Sequence, residues 1–414
     1  MTNPPLNPEP TADELVARAR ALSPTLVPRQ AEVEERHQYA EDVHAAFAEA
    51  GFYRMLVPRR YGGYQVDPET FYRVIVEITR GCSSTGWQLC LGASHALPVA
   101  TIFPEEVQAE VFGDGHFIAP SVLAPGTVAK PVDGGWDLTG TVRYCSGVPY
   151  ATHLLTHALP ETEGAGVMVV VAPRASWTQL DDWGRLMGMK GSGSHSVRFE
   201  GGFVPSRFTV PETPLFAAPI DGGTEGSRLH GTPLYGGRIL SFYGMQYGGL
   251  RLGMAKAAMD IYEEMMQTRS TLFGRSTYGK PQPRGPRALD PDYHRWFGLI
   301  AAKVAAAELA FFGICREWMD LARANVEGTG AFTIADDRRL FLAAGEVADL
   351  CWKVMQDYVL PTAGCNEWTT GSRIERLYRD MAMHTALGAR QLTDQMLSRE
   401  LAVELLGADP NTIA

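Results

Sequence analysis

The chain has 414 residues, 45% of them hydrophobic and 20% charged, which suits a packed globular protein and excludes a disordered, collagen-like or coiled-coil chain. Lys and Arg number 37 against 47 Asp and Glu, a net charge of −10, so there is no general electrostatic footprint for nucleic acid or an anionic membrane. At about 150 residues per domain the length allows two or three domains.

Residues 1–14 form a polar, proline-rich tail with no apolar core, so they are not a secretory signal. Residues 15–118 read as a helical domain. The stretch 13–22 carries helix formers with an apolar stripe, and 39–50 repeats it before Gly51, a natural stop. Pro68, at a first helical position after Asp67, opens another helix with Phe71, Val74, Ile75 and Ile78 at helical spacing. Residues 87–96 make a fourth, largely apolar helix. Residues 119–230 change period: 135–144 alternates between glycines, 167–172 is a β-branched run, and 194–200 has a two-residue period. This is a small β domain. Residues 231–414 are helical again, with long candidates over 240–269, 293–325, 336–358 and 373–406, as in a four-helix bundle. A Gly- and Pro-rich loop, 272–290, is long enough to be functional or interfacial.

Several chemistries are absent. There is no GxGxxG after a strand, no P-loop, no HExxH and no GxSxG elbow. Cys82, Cys90, Cys145, Cys315, Cys351 and Cys365 lack CxxC spacing and read as buried thiols of a reducing compartment. No metal site is expected. Apolar runs such as 166–173 fall short of the ~18 residues that span a bilayer. The expectation is a cytoplasmic protein without membrane or nucleic-acid partners.

The order helical domain, β domain, four-helix bundle resembles the acyl-CoA dehydrogenase fold, an α+β architecture. The segments FYRMLVPRRYGG at 52–63 and DWGRLMGMKGSGSHSVRFE at 182–200 resemble signatures of its first and second domains. Within that fold the chain resembles the two-component (group D) flavin-dependent monooxygenases, such as the oxygenase component of 4-hydroxyphenylacetate 3-hydroxylase and dibenzothiophene monooxygenase. Dehydrogenases of the fold usually place a glutamate base eight residues after an Arg-Asp pair. Here the pair is Arg379-Asp380 and the eighth residue on is Gly388. Instead His384 follows Asp380 by four residues, which puts both on one helix face with Asp380 placed to orient the imidazole. The stretch SSTGWQLCLGASH at 83–95 resembles the STGW…H stretch of the monooxygenases, with Trp87, Leu91 and His95 on one face.

The resemblance implies a set of roles. Ser146, in VRYCSG at 142–147, lies near flavin N5, and Tyr144 replaces the flavin-covering tryptophan of the dehydrogenases. The loop from Leu123 to Ala129 lacks their Gly-Ser pair and retains backbone contacts from Leu123. Arg269, at a bundle-helix end, reaches a flavin phosphate across a subunit interface, although a cation there also stabilises the helix dipole. His95 and His384, with pKa values near the working pH, are the acid–base candidates. Trp87, Phe103 and Tyr144 line an aromatic pocket. His153, His157 and His195 read as surface or strand-face residues. A lone histidine on an apolar helix is more often a core residue than a catalyst, so the roles of His95 and His384 rest on the resemblance.

The implied function is an oxygenase component that takes reduced FMN (FAD being the other candidate) from a separate reductase. It reacts it with O₂ to a C4a-hydroperoxide and oxygenates a small aromatic carbon, nitrogen or sulfur. A homotetramer is implied as well. Two other readings stand beside it: an acyl-CoA dehydrogenase or oxidase with its base elsewhere, and a catalytically dead scaffold of the same fold.

Overall fold

Capping residues mark out the N-terminal helices. Thr11 caps α1 (Ala12–Leu26) in a reciprocal box with Glu14. After α2 (Gln30–Arg36) and α3 (Glu41–Ala50), Gly51 stops the chain at φ +82°. The Asp67 carboxylate accepts from Thr70 N at 2.7 Å and starts α4 (Pro68–Gly81), with Pro68 in the first turn. Then come α5 (Ser83–Ala93), α6 (Ala96–Ile102) and α7 (Glu105–Val111). The computed structural model describes residues 9–408 apart from Asp114, Glu163, 272–275, 278, 279, 282, 283 and Leu387.

The expected helix over 87–96 is corrected here. It begins at Ser83 and stops at Ala93, and His95 stands between two helices. Pro98 explains the break: it lacks an N–H and is tolerated only in a first turn, so a new helix starts at Ala96.

The middle zone is a seven-stranded sheet: β1 (Ser121–Val132), β2 (Gly135–Val142), β3 (His153–Pro160), β4 (Met168–Pro173), β5 (Thr178–Gln179), β6 (Val197–Pro205) and β7 (Thr209–Val210). Their order is β5-β6-β2-β1-β3-β4-β7. β1 runs parallel to β3 and antiparallel to β2, and its register breaks between Val122 and Thr127. Residues 123–126 therefore stand outside both ladders.

After α8 (Glu225–His230) come α9 (Ile239–Thr268), α10 (Pro291–Glu327) and α11 (Ile334–Lys353), which runs through a π-helical turn (Val354–Val359) into α12 (Leu360–Ala363). The expected 373–406 helix is two: α13 (Arg373–Thr385) and α14 (Gly388–Leu406). The expected loop at 272–290 lies partly outside the described residues. α9 is the axis of this zone. Asp337 on α11 accepts from Ser241 N at 2.8 Å, tying down the α9 N-terminus. A Cβ at Gly253 would stand 2.6 Å from the Thr79 Cβ, so glycine lets α4 lie directly on α9.

One apolar core runs through all three zones, from Phe47 and Phe71 through Val170 and Phe199 to Phe311 and Trp318. One sequence expectation about apolar runs needs amending. α10 is long and apolar enough, by length and composition alone, to cross a membrane, and a third of its most apolar window is buried inside the chain. Its exposed side carries Leu299, Leu309 and small residues such as Ala305, Ala306 and Ala310.

Candidate active site

α9 supplies a wall against which two histidines from distant segments are set. Tyr243, Tyr247 and Arg251 recur at four-residue spacing and share one face. The His95 ring lies 5.0 Å from that of Tyr243, and the His384 ring stacks on Tyr247 at 5.4 Å. Trp87 meets His384 edge-on at 5.1 Å. Both histidines are buried.

Their partners fix opposite tautomers. His95 Nδ1 lies 2.7 Å from the Ala119 carbonyl, which can only accept, so that nitrogen carries the proton. Its Nε2 then accepts from Gln246 Nε2 at 3.2 Å, and the same amide donates to Ser94 Oγ at 2.9 Å. Burial pushes His95 down to about 4. It is a neutral acceptor at pH 7, not the group titrating near working pH that was expected. His384 is the reverse. Arg251 Nε donates to its Nδ1, so the proton resides on Nε2. The Arg251 guanidinium also donates to the Met381 carbonyl at 2.7 Å and lies over Trp352.

Asp380 does not hold His384, contrary to expectation. Its Oδ1 accepts from Met189 N at 2.6 Å, while Arg379 donates to the Met187 carbonyl at 2.8 Å. The Arg-Asp pair thus clamps the segment before β6 onto α13. Burial raises the Asp380 carboxyl to about 7.

That segment ends in a serine cluster. Ser194 Oγ lies 2.7 Å from both Ser146 Oγ and Ser192 Oγ. Gly193, at φ +58°, sits between Ser192 and Ser194, and a Cβ there would stand 3.0 Å from Pro149 and 3.1 Å from Gln88 Oε1. Ser194 also borders a surface cleft of about 440 Å³ with Arg143, Tyr144, Asp182, Trp183, Arg185 and Ser196. Tyr144 takes φ +63°, is 62% exposed, and meets Trp183 edge-on at 5.9 Å.

Other candidates lie apart. Phe103 is fully buried at the α6–α7 junction, its carbonyl bonded to Gln108. Among the described residues its ring makes no contact with that of Trp87 or Tyr144. The Leu123 carbonyl accepts from His157 Nδ1 at 2.7 Å, and His157 Nε2 accepts from Leu215 N at 3.1 Å. Arg269, at the end of α9, is held by Glu367 at 2.7 Å, so its charge is already answered within the chain. His157 and His195 are buried, not surface groups, whereas Cys365 is exposed, unlike the other five cysteines.

Comparison with known proteins finds relatives along the whole chain. Residues 9–112 match the family described as acyl-CoA dehydrogenase, N-terminal domain. The chain is 28% identical over 380 residues to the flavin-dependent monooxygenase oxygenase subunit HsaA of Rhodococcus jostii, covering 88% of this chain and 91% of that one. It is 21% identical over 412 residues to the p-hydroxyphenylacetate 3-hydroxylase oxygenase component of Acinetobacter baumannii, covering 98% and 92%. The solved structure of XiaF from Streptomyces in complex with FADH2 and glycerol superposes with a TM-score of 0.83 at 21% identity, covering 96% of each chain. The chain has the acyl-CoA dehydrogenase fold and is similar along most of its length to flavin-dependent monooxygenases.

The residues gathered here suit a flavin ring. The backbone of 123–126 stands outside both ladders, so the amides of Leu123, Ala124 and Gly126 are not committed to strand pairing. Ser146 and Ser194 offer hydroxyls that donate or accept. Gln88 offers a buried carboxamide whose polar atoms have no hydrogen-bond partner among the described residues. Sequence reasoning missed Gln88, Tyr243, Gln246, Tyr247 and Arg251. The available signal was polarity out of place: Gln246 and Arg251 interrupt the apolar, glycine-rich first half of α9.

Proposed function

We propose that this monooxygenase takes reduced flavin, FMN first and FAD second, from a separate reductase and oxygenates a small aromatic substrate at carbon, nitrogen or sulfur. The observation that carries the reading is the pair of buried histidines of opposite polarity on one face of α9. Bound reduced flavin supplies the electrons that activate O₂. His384 presents an N–H donor to the reacting oxygen, and Arg251 keeps it in that tautomer. His95 Nε2 accepts from Gln246, and a phenolic hydroxyl that took the place of that amide N–H would be oriented by the same lone pair. Trp87, Tyr243 and Tyr247 supply aromatic walls, and the burial of Trp87 and Tyr243 helps exclude water. Tyr144 and Trp183 stand at the cleft mouth. The exposed apolar side of α10 supports a homotetramer assembled through the bundle, and the free thiols suit the cytoplasm.

Anaerobic titration with reduced FMN and reduced FAD, followed by rapid mixing with O₂, tests the reading. A long-lived absorbance that requires both reduced flavin and O₂ is expected. His95→Ala and His384→Ala are expected to lose product while retaining flavin. Tight binding of oxidised FAD, bleached by an acyl-CoA, would overturn the proposal in favour of a dehydrogenase.

A further inference from the structure

Gln88 lies in the second turn of α5 and is 1% exposed. Neither its Nε2 nor its Oε1 has a hydrogen-bond partner among the described residues. Ser84 Oγ, one turn earlier on the same face, shares this state. A buried carboxamide that forgoes both bonds pays a heavy desolvation penalty, so it marks a place where something else supplies them. The space around it is narrow. Gly193 passes so close that a Cβ there would stand 3.1 Å from Gln88 Oε1, and Ser192 and Ser194 flank that glycine. Ser194 in turn bonds Ser146 at 2.7 Å. Gln88 thus faces the cluster of hydroxyls, Ser146, Ser192 and Ser194, that suits the polar edge of a flavin ring.

We propose that Gln88 reads the oxidation state of the flavin; this inference rests on the function proposed above. Reduced flavin carries N5–H beside C4=O, a donor next to an acceptor. Oxidised flavin carries two acceptors there, because N5 has lost its proton. A carboxamide presents one acceptor and one donor at the spacing with which Asn and Gln pair with the N7/N6 edge of adenine. Against the reduced ring, Oε1 accepts from N5–H and Nε2 donates to the C4 carbonyl. Against the oxidised ring, Oε1 faces a lone pair, and turning the amide over leaves the same atom unpaired. Ser146, Ser192 and Ser194 do not discriminate in this way, because a hydroxyl rotates to donate or accept. Gln88 is the member of the cluster with fixed polarity.

The test compares dissociation constants of reduced and oxidised flavin, measured anaerobically, in the wild type, Gln88→Leu and Gln88→Met. The wild type is expected to favour the reduced form, and each variant to lose roughly ten- to a hundredfold of that preference. A probe on the unaltered protein guards against a misfolded variant. Reduced 5-deazaflavin has CH₂ in place of N5–H and is expected to bind the wild type roughly tenfold or more weakly than reduced flavin. Equal affinity for the two reduced rings would overturn the proposal. So would an unchanged reduced-to-oxidised ratio in a folded variant, including one in which only the substrate KM rises. Failure of the wild type to bind either flavin would instead sink the proposed function, and this inference with it.

Discussion

At the scale of single residues, the site depends on which atom carries a proton. Arg251 is fully buried, and its guanidinium bonds His384, the Met381 carbonyl and Thr385 together. Arginine stays charged in proteins, so its donation to Nδ1 leaves His384 a single N–H, on Nε2. Arg251→Met leaves His384 Nδ1 and the Met381 carbonyl without their donor, about 1–3 kcal/mol each, offset in part because a cation is no longer buried. The variant should still fold, retain flavin and lose turnover by on the order of a hundredfold, a typical loss for a misplaced acid–base group. Single-turnover product formation measured beside flavin affinity checks this. Loss of flavin affinity alone would make Arg251 a binding residue instead. The sequence placed His95 and His384 in view but not their partners, since Arg251 and His384 stand 133 residues apart. No local period reports a contact of that range.

At the scale of elements, the clamp between α13 and the segment before β6 couples shape to pH. Asp380 is buried among Met189 N, Glu34, Arg376 and Arg379, and desolvation raises its carboxyl from 3.8 to about 7. The folded state therefore binds the proton more tightly than the unfolded chain does. The stability this gives is fully present below pH ~4 and is lost as pH rises through about 7. The ceiling is roughly 4 kcal/mol at 1.36 kcal/mol per unit. Asp380→Asn retains the bond from Met189 N, and its denaturation midpoint should vary less between pH 4 and 7 than that of the wild type. Parallel pH profiles for the two proteins would remove the clamp from the account. The helices, strands and their order were legible because periodicity, caps and glycines act locally. The break at His95 was masked by an apolar run that continues across it, and Pro98 was the clue. Asp380 misled because helical spacing to His384 is satisfied in the structure, while a backbone amide on another segment takes its carboxylate.

At the scale of the whole molecule, α10 exposes an apolar strip that the single chain does not cover, with Leu309 at 74% exposure. The proposed homotetramer would bury it. Leu309→Lys should then shift sedimentation at micromolar concentration toward smaller species, while an unchanged sedimentation coefficient would place the interface elsewhere. The arrangement around α9 has another consequence. Bonds joining Ser146 to Ser194, Arg251 to His384 and Gln246 to His95 close chain separations of 48, 133 and 151 residues. Contacts of such range form late, because the entropy of closing long loops must be met before they bring any gain. Helices and hairpins thus come together on a nascent chain well before the two histidines meet on α9. The newborn polypeptide passes through its immature stages without the machinery to activate oxygen, and that capacity arrives together with the walls that contain it.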